Sequence, residues 1–96
     1  MRIISGINKG RKIQAPKNLP VRPTTDQSKE ALFNIISNDY DLSKISILDL
    51  FSGTGNISYE FFSRGTKNIT CVDLNGKCIN FIKSISNNLS FNLKII

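Results

Sequence analysis

The stretch DLFSGTGNIS, residues 49–58, decides the fold. Two glycines, Gly53 and Gly55, stand one residue apart behind an apolar run, and the carboxylate of Asp49 precedes the first of them. A glycine-rich turn between a buried strand and a helix lets a ligand approach the main chain and the helix N-terminus. The stretch therefore predicts a ligand-binding turn within an α/β domain.

From Lys44 onward, the sequence alternates between strand and helix patterns. Residues 45–51 are so continuously apolar that we expect a central parallel strand, and two further strands are predicted at 68–73 and 91–96. Helical patterns fill the gaps, at 55–65 and at 76–88. A β-α-β-α-β order requires right-handed crossovers, so the sequence predicts an α/β fold with a parallel sheet of about three strands.

The first forty residues predict a hairpin and a helix. RIISGINKGRKIQAP, residues 2–16, has two short strand patterns around glycine-rich turn chemistry, which is typical of a β-hairpin. TTDQSKEALFNIIS, residues 24–37, predicts a helix capped by Thr24 or Thr25. The expected face of that helix consists of Ser28, Ala31, Leu32, Ile35 and Ile36, with Phe33 beside it.

Composition limits the class of protein. The 96 residues suffice for one domain, and no apolar run approaches the roughly 18 residues of a membrane span. No signal-peptide core is present, so we expect a soluble, cytoplasmic protein. Cys71 and Cys78 are expected to be reduced, partly buried thiols; the chain has no histidine, and neither a disulfide nor a metal site is predicted.

Positive charge is concentrated at the N-terminal end. Of the net charge of +6, residues 1–30 carry +5, because seven basic side chains there face only Asp26 and Glu30. The seven are Arg2, Lys9, Arg11, Lys12, Lys17, Arg22 and Lys29. Such asymmetry favours contact with a polyanion, and a merely solubilising surface is the alternative.

The acid beside the turn narrows the choice of ligand. A dinucleotide fingerprint would place a third glycine at Ser58, and Asp49 would repel a pyrophosphate. S-adenosylmethionine fits better, since it has no phosphate and its ammonium can face Asp49. Asp73 ends the second predicted strand, where a carboxylate can accept both ribose hydroxyls. The plainer alternative is a tight strand–helix turn with a solvated Asp73.

Four stretches together resemble one family, the guanine-N2 methyltransferases of small-subunit ribosomal RNA known as methyltransferase D. They are RIISGINKGRKI, RPTTDQSKEALFNII, ILDLFSGTGNISYEFFSRG and CVDLN. The resemblance implies a Rossmann-like methyltransferase fold with an N-terminal hairpin, and S-adenosylmethionine as cofactor. It also implies a guanine of small-subunit rRNA as the substrate, methylated on its exocyclic amine.

The resemblance also implies roles for individual residues. Asp49, Ser52, Gly53 and Gly55 match the family's cofactor turn, and Asp73 matches its ribose acid. The segment beside the family's pocket matches Arg22, Pro23 and Thr24. The family's basic hairpin, which implies RNA contact, matches Arg2, Lys9, Arg11 and Lys12. We therefore expect a basic hairpin and lead-in helix over residues 1–43 and a partial cofactor-binding core over 44–96, within one compact domain.

The chain departs from the family in length and in one motif. Family members are nearly twice as long, and their catalytic loop contains two adjacent prolines before an aromatic residue, which this sequence lacks. That loop orients a poorly nucleophilic guanine amine toward the methyl group. We therefore expect a truncated enzyme with no catalytic residue in residues 1–96, inactive as this short chain.

Two other functions stay open at this point. A non-catalytic RNA- or cofactor-binding module is compatible with the missing loop. A fragment of an NAD-binding dehydrogenase is suggested by the GTG triplet alone, and Asp49 and Ser58 argue against it.

Overall fold

Three strands and three helices form in the predicted order. The computed structural model describes residues 1–22 and 24–96, so Pro23, which the resemblance places beside the pocket, lies outside the described residues. The elements are α1 (Asp26–Asp39), β1 (Ser46–Leu50), α2 (Asn56–Ser63), β2 (Asn68–Val72), α3 (Gly76–Leu89) and β3 (Lys94–Ile95).

The sheet is parallel with strand order β1-β2-β3. Leu48 pairs with Thr70, and Thr70 pairs in turn with Lys94. Both connections between neighbouring parallel strands run through a helix, as parallel pairing requires. The predicted α/β architecture with about three parallel strands is therefore confirmed.

Strand β1 differs from the expected central strand. It lies at one edge of the sheet formed by the described residues, and its exposure alternates along the chain. Ile47 and Asp49 are partly buried, whereas Leu48 is 62% and Leu50 56% exposed. For the described residues, the prediction of burial on both faces was wrong: among them, helix α2 meets one face of β1 and the other face is exposed. Continuous apolar character identified the strand correctly but not the number of layers covering it.

Helix α1 is rotated relative to the predicted face. Its N-cap is Thr25, whose hydroxyl accepts a hydrogen bond from the Ser28 N–H at 3.1 Å. The buried side chains are Lys29 and Phe33, both wholly enclosed, with Ile36 half-buried beside them. Four of the five residues expected to form the helical face, namely Ser28, Ala31, Leu32 and Ile35, are instead exposed.

The rotation of α1 has an identifiable cause. Phe33 stacks edge-on against Phe61 of α2, with 4.5 Å between the ring centroids. One turn earlier, Lys29 reaches hydrogen-bond acceptors in the interior, which offsets the cost of burying an ammonium group. A helical pattern of apolar residues alone places lysine on the solvent-facing side, so it does not predict this buried face.

The second and third helices follow the sequence pattern closely. α2 ends before Gly65, which adopts a φ of 107° in the predicted left-handed C-terminal position. The side chain of Asn75 caps α3 by accepting from two backbone N–H groups. Cys78 and Ile82 are buried, with Ile85 partly so. The core combines the hairpin, the three helices and β2, and Ile47 of β1 and Ile95 of β3 pack against it partly buried. Its buried members are Ile3, Ile13, Phe33, Leu42, Tyr59, Phe61, Ile69, Cys71, Ile82 and Phe91.

The N-terminal hairpin forms as an antiparallel pair centred on one bridge, Arg2 with Lys12. Its tip is fastened to the end of α2. The Ser63 hydroxyl donates to the Ser5 carbonyl at 2.6 Å and accepts from the Asn8 N–H at 3.0 Å. A division of the chain into 1–43 and 44–96 remains a prediction.

Candidate functional site

The predicted ligand turn connects β1 to α2 through three left-handed residues. Gly53 and Gly55 have φ values of 59° and 82°, and Phe51 between strand and turn has 58°. A bulky residue rarely adopts positive φ, and such conformations concentrate at functional sites. Phe51 is also 83% exposed, so the core does not hold it in this conformation.

Ser52 fastens the turn to the neighbouring strand. Its hydroxyl donates to the Asp49 carbonyl at 2.7 Å and accepts from the Val72 N–H at 3.1 Å. Its own N–H donates to the Val72 carbonyl at 2.9 Å. Ser52 therefore holds the ends of β1 and β2 in a fixed relation. The resemblance assigned this residue to the cofactor turn, and these contacts give it a structural task there.

The two glycines of the turn serve different purposes. A Cβ on Gly53 would lie 3.3 Å from Val21, so its bare face looks toward the segment before α1. A Cβ on Gly55 would lie 2.6 Å from the ring and hydroxyl of Tyr59. Gly55 is therefore required by packing within the protein, and its predicted contact with a cofactor stays a prediction.

Asp49 is partly buried at the end of β1. Its carboxylate accepts a hydrogen bond from the Ser58 hydroxyl at 2.6 Å. Burial raises the pKa of Asp49 above its ordinary value, although the hydrogen bond from Ser58 opposes that rise. Ser58 occupies the position where a dinucleotide fingerprint has glycine, and here its hydroxyl binds the acid. A cationic ligand group would favour the ionised form of this carboxyl.

Asp73 lies just beyond β2 and holds the turn from the other side. One carboxylate oxygen accepts from the Gly53 N–H at 2.8 Å, and the other accepts from the Asn75 N–H at 2.8 Å. Each carboxylate oxygen can accept a second hydrogen bond. Asp73 therefore stabilises the turn and is also a candidate acceptor for ligand hydroxyls.

A cleft of about 220 Å³ opens over the turn. It brings together five residues predicted from sequence: Arg22, Thr24, Asp49, Ser52 and Gly53. The other two predicted cofactor residues, Gly55 and Asp73, do not line it. Sequence reasoning missed five further lining residues: Val21, Phe51, Thr54, Asn56 and Ile57. Asn56 directly follows the glycine turn. Its polar side chain at that position is the feature of the sequence that could have identified it as a site residue.

The basic hairpin presents all four predicted RNA-contacting side chains to solvent: Arg2, Lys9, Arg11 and Lys12. Arg2 and Lys12 lie directly opposite one another in the antiparallel pair. Like charges in that arrangement repel, so a polyanion bound there would relieve the repulsion. Lys9 and Arg11 line a separate shallow groove at the hairpin tip.

Lys29 does not belong to the basic surface, although it was counted among the seven basic side chains of the N-terminal end. Its ammonium is wholly buried and lies 3.3 Å from the equally buried carboxylate of Glu60. Burial lowers the pKa of Lys29, and Glu60 opposes this. Burial also disfavours the charged form of Glu60. Hydrogen bonds from the Ile4 N–H and Arg64, with the charge of Lys29, nevertheless bring the pKa of Glu60 below its ordinary value.

Comparison with known proteins assigns the family. The family model described as conserved hypothetical protein 95 matches residues 1–96. The chain belongs to this family. It is 40% identical over 90 residues to ribosomal RNA small subunit methyltransferase D of Buchnera aphidicola subsp. Baizongia pistaciae, covering 94% of this chain and 45% of that protein. The protein of the same name from Haemophilus influenzae is 34% identical over 96 residues, covering 100% and 45%. The resemblance found in the sequence is thereby confirmed.

Two solved structures share the fold. An Escherichia coli structure described as a candidate methyltransferase, yhhF, superposes with a TM-score of 0.84 at 27% identity, over 100% of this chain and 51% of that one. The Thermus thermophilus hypothetical protein TTHA0928 superposes with a TM-score of 0.85 at 21% identity, over 100% of this chain and 54% of that one, and shows the fold alone. This chain thus spans about half the length of the relatives that it matches.

Within residues 1–22 and 24–96, no helix has the length and apolar character needed to cross a membrane. No three metal-binding side chains cluster there in a way that could hold an ion.

Proposed function

We propose that residues 1–96 form the cofactor-binding part of an S-adenosylmethionine-dependent rRNA methyltransferase. One observation supports this most: a single cleft over the glycine turn gathers an acid, a bare backbone and a cation, from Asp49, Gly53 and Arg22. The chain belongs to a family whose relatives are named as methyltransferases of small-subunit ribosomal RNA. The donor set also suits the cofactor, which carries an ammonium, a sulfonium and a ribose but no phosphate.

Each part of the cofactor has a matching group in this chain. The Asp49 carboxylate faces the ammonium, directly or through one water. Asp73 accepts hydrogen bonds from the ribose hydroxyls while keeping its bonds to the Gly53 and Asn75 N–H groups. The cofactor supplies the methyl group; these residues bind and orient it. An NAD-binding site is disfavoured because a pyrophosphate would meet the Asp49 carboxylate.

The substrate of this reaction is proposed from the relatives and the hairpin. We propose that small-subunit rRNA is bound through the phosphates by Arg2, Lys9, Arg11 and Lys12, whose side chains are exposed. The exocyclic amine of a guanine would be the methyl acceptor, in the cytoplasm. Among residues 1–96 we assign no catalytic residue, and we propose that they do not transfer a methyl group by themselves.

Calorimetric titration of the 96-residue chain tests the cofactor. We expect S-adenosylhomocysteine, the demethylated cofactor, to bind and NAD not to bind. Asp73→Asn should weaken binding by roughly 1–3 kcal/mol, the typical effect of losing a hydrogen bond to a charged group. Asp41→Asn is the matched control, because Asp41 is exposed and its contacts lie with Ser43 and Lys44, outside the cleft.

Two results would contradict the proposal. NAD binding with an affinity equal to that of S-adenosylhomocysteine would favour the dehydrogenase alternative. Equal affinity of Asp73→Asn and the parent, with an unchanged thermal midpoint, would remove Asp73 from the ribose site.

A further inference from the structure

Asn56, the first residue of α2, connects two parts of the chain through both ends of its amide. It is buried, with 3% of its surface exposed. Its carbonyl oxygen accepts from the Lys29 ammonium at 2.8 Å, and its nitrogen donates to the Thr24 carbonyl at 2.8 Å. Both polar atoms of this buried side chain are therefore used within the protein.

The orientation of this amide is fixed by chemistry. An ammonium group can only donate hydrogen bonds, so the atom of Asn56 facing Lys29 has to be the oxygen. The nitrogen then faces Thr24, whose carbonyl can only accept. Lys29 is itself immobilised by the Arg2 carbonyl at 2.6 Å and by Glu60. A buried ion pair thus determines where Asn56 donates its hydrogen bond.

The segment that receives this hydrogen bond borders the cleft. Val21, Arg22 and Thr24, hereafter the pre-helix residues, line it together with Asp49. Arg22 and Thr24 are exposed, so little burial fixes their position. Within this segment, the buried side chain of Asn56 contacts the exposed backbone directly, through its hydrogen bond to the Thr24 carbonyl.

We propose that Asn56 is a positioning residue that holds the pre-helix residues at the amino-acid end of the cofactor. The inference rests on the proposed function, in which Asp49 faces the cofactor ammonium. Arg22 lines the same cleft as Asp49, whereas Asp73, the proposed ribose acceptor, does not. The Arg22 guanidinium is then available to the α-carboxylate, since guanidinium and carboxylate groups match in charge and geometry. Asn56 acts through Thr24, because both polar atoms of its amide are already used by Lys29 and Thr24.

The test uses two ligands that differ only at this end. S-adenosylhomocysteine has the amino-acid part, and 5′-methylthioadenosine lacks it. In the 96-residue chain, Asn56→Ala should weaken S-adenosylhomocysteine about tenfold, the size of one net hydrogen bond, and 5′-methylthioadenosine by less than about twofold. Ser63→Ala is the matched control: it removes an equally buried tether on the same helix, but one that holds the hairpin.

A second readout requires no ligand. The heteronuclear NOE of the Arg22 and Thr24 amides should fall in Asn56→Ala, which reports faster backbone motion, while Ser63→Ala should lower it at Asn8 instead. Unchanged NOE values at Arg22 and Thr24 would overturn the inference. Equal weakening of both ligands, or the same loss in Ser63→Ala, would also overturn it, because a general loss of stability would then explain the data.

The outcomes separate this inference from the proposed function. If the parent binds neither ligand, the proposed function is wrong, and the role of Asn56 toward a cofactor is then wrong as well. The NOE comparison would still decide whether Asn56 fixes the pre-helix residues. If the parent binds both ligands and Asn56→Ala binds both as tightly as the parent does, the proposed function survives and the positioning role is wrong.

Discussion

Asp49 is a carboxyl whose charge state and ligand are coupled. Burial raises its pKa, so the folded chain holds this proton more readily than an unfolded chain would. A cofactor ammonium beside it favours the ionised form and therefore displaces the proton. We predict that affinity for S-adenosylmethionine falls as the pH is lowered from neutrality toward the ordinary aspartate value of 3.8. Calorimetry at a series of pH values measures this.

Asn in place of Asp49 provides the control for that pH series. Asp49→Asn should bind the cofactor more weakly and with a flatter pH profile. The contribution of Asp49 to the unfolding free energy depends on pH in the opposite sense to its contribution to cofactor affinity. A raised folded-state pKa stabilises the fold at low pH, and that contribution is lost as the pH rises through the folded pKa. Asp49→Asn should therefore not lower the unfolding free energy at neutral pH. An equally steep pH profile in the variant would assign the titration to another group.

Gly55 and Gly10 allow the packing role of the turn to be measured. Both have a φ of 82°, so an alanine at either position has the same backbone strain, of roughly 1 kcal/mol. A Cβ on Gly10 meets nothing within 4 Å, whereas one on Gly55 would lie 2.6 Å from Tyr59. We predict that Gly55→Ala lowers the unfolding free energy by about 1–3 kcal/mol more than Gly10→Ala, the usual cost of overpacking.

Denaturant titration of the two alanine variants measures that difference. If they are equally stable, Tyr59 can move aside without cost. The bare face of Gly55 would then be free for a ligand, as the sequence suggested.

Helix α1 is joined to α2 by a buried ion pair, Lys29 with Glu60. Removing one partner of a buried ion pair typically destabilises a protein by about 3–5 kcal/mol when the other charge is left unpaired. Glu60 would keep a second cation, because the Arg64 guanidinium lies 2.8 Å from its carboxylate. We therefore predict a smaller loss for Lys29→Met, of about 1–3 kcal/mol, the usual cost of leaving buried acceptors without their donor. Glu60→Gln in the same chain should not restore the loss, because it removes the carboxylate that pairs with Arg64.

Lys44→Met is the control for this pair, since the Lys44–Asp41 contact is 3.9 Å long and exposed. Exposed pairs contribute about 0–1 kcal/mol, so this variant should unfold at nearly the parental denaturant concentration. A loss in Lys29→Met no larger than that in Lys44→Met would mean that Arg64 or water fully compensates the Glu60 charge when Lys29 is absent.

The sequence predicted elements better than it predicted their faces. Strands, helices and the turn glycines follow from local patterns, and the Gly65 stop was found at its position. The inward face of α1 was missed because it depends on Lys29 meeting Glu60, 31 residues later, and no local pattern contains that pairing. Asn56 was missed for the same reason, since its two partners lie at Thr24 and Lys29. The turn between β1 and α2 was predictable from one continuous stretch, whereas contacts between residues distant in sequence were not.

Across the whole molecule, the charge is less asymmetric than the composition indicates. Lys29 is neutralised by Glu60 inside the fold, so the basic surface of the N-terminal end is carried by six side chains instead of seven. Four of these lie on the hairpin, and one contact chain joins the hairpin to the cleft, from Arg2 through Lys29 to Asn56. RNA held on the hairpin would thus be bound close to the elements that form the cofactor cleft.

The proposed RNA surface predicts a specific salt dependence. Each phosphate neutralised by a cation releases counterions, and the slope of log affinity against log salt changes by about 0.7–0.9 per contact. We predict that Lys9→Gln with Arg11→Gln weakens binding to small-subunit rRNA fragments by similar factors whatever their sequence. The slope should become shallower by about one to two units. Fluorescence anisotropy over a series of salt concentrations measures both quantities.

The matched control removes the same charge elsewhere. Lys67 and Lys83 are exposed and lie outside the hairpin, so Lys67→Gln with Lys83→Gln changes the net charge equally. If binding depends on net charge alone, both double variants will lose the same slope, and the hairpin residues are ordinary surface charges. If the phosphates lie on the hairpin, only Lys9→Gln with Arg11→Gln will lose one to two units, because counterion release counts local contacts and long-range attraction is screened within about 8–10 Å.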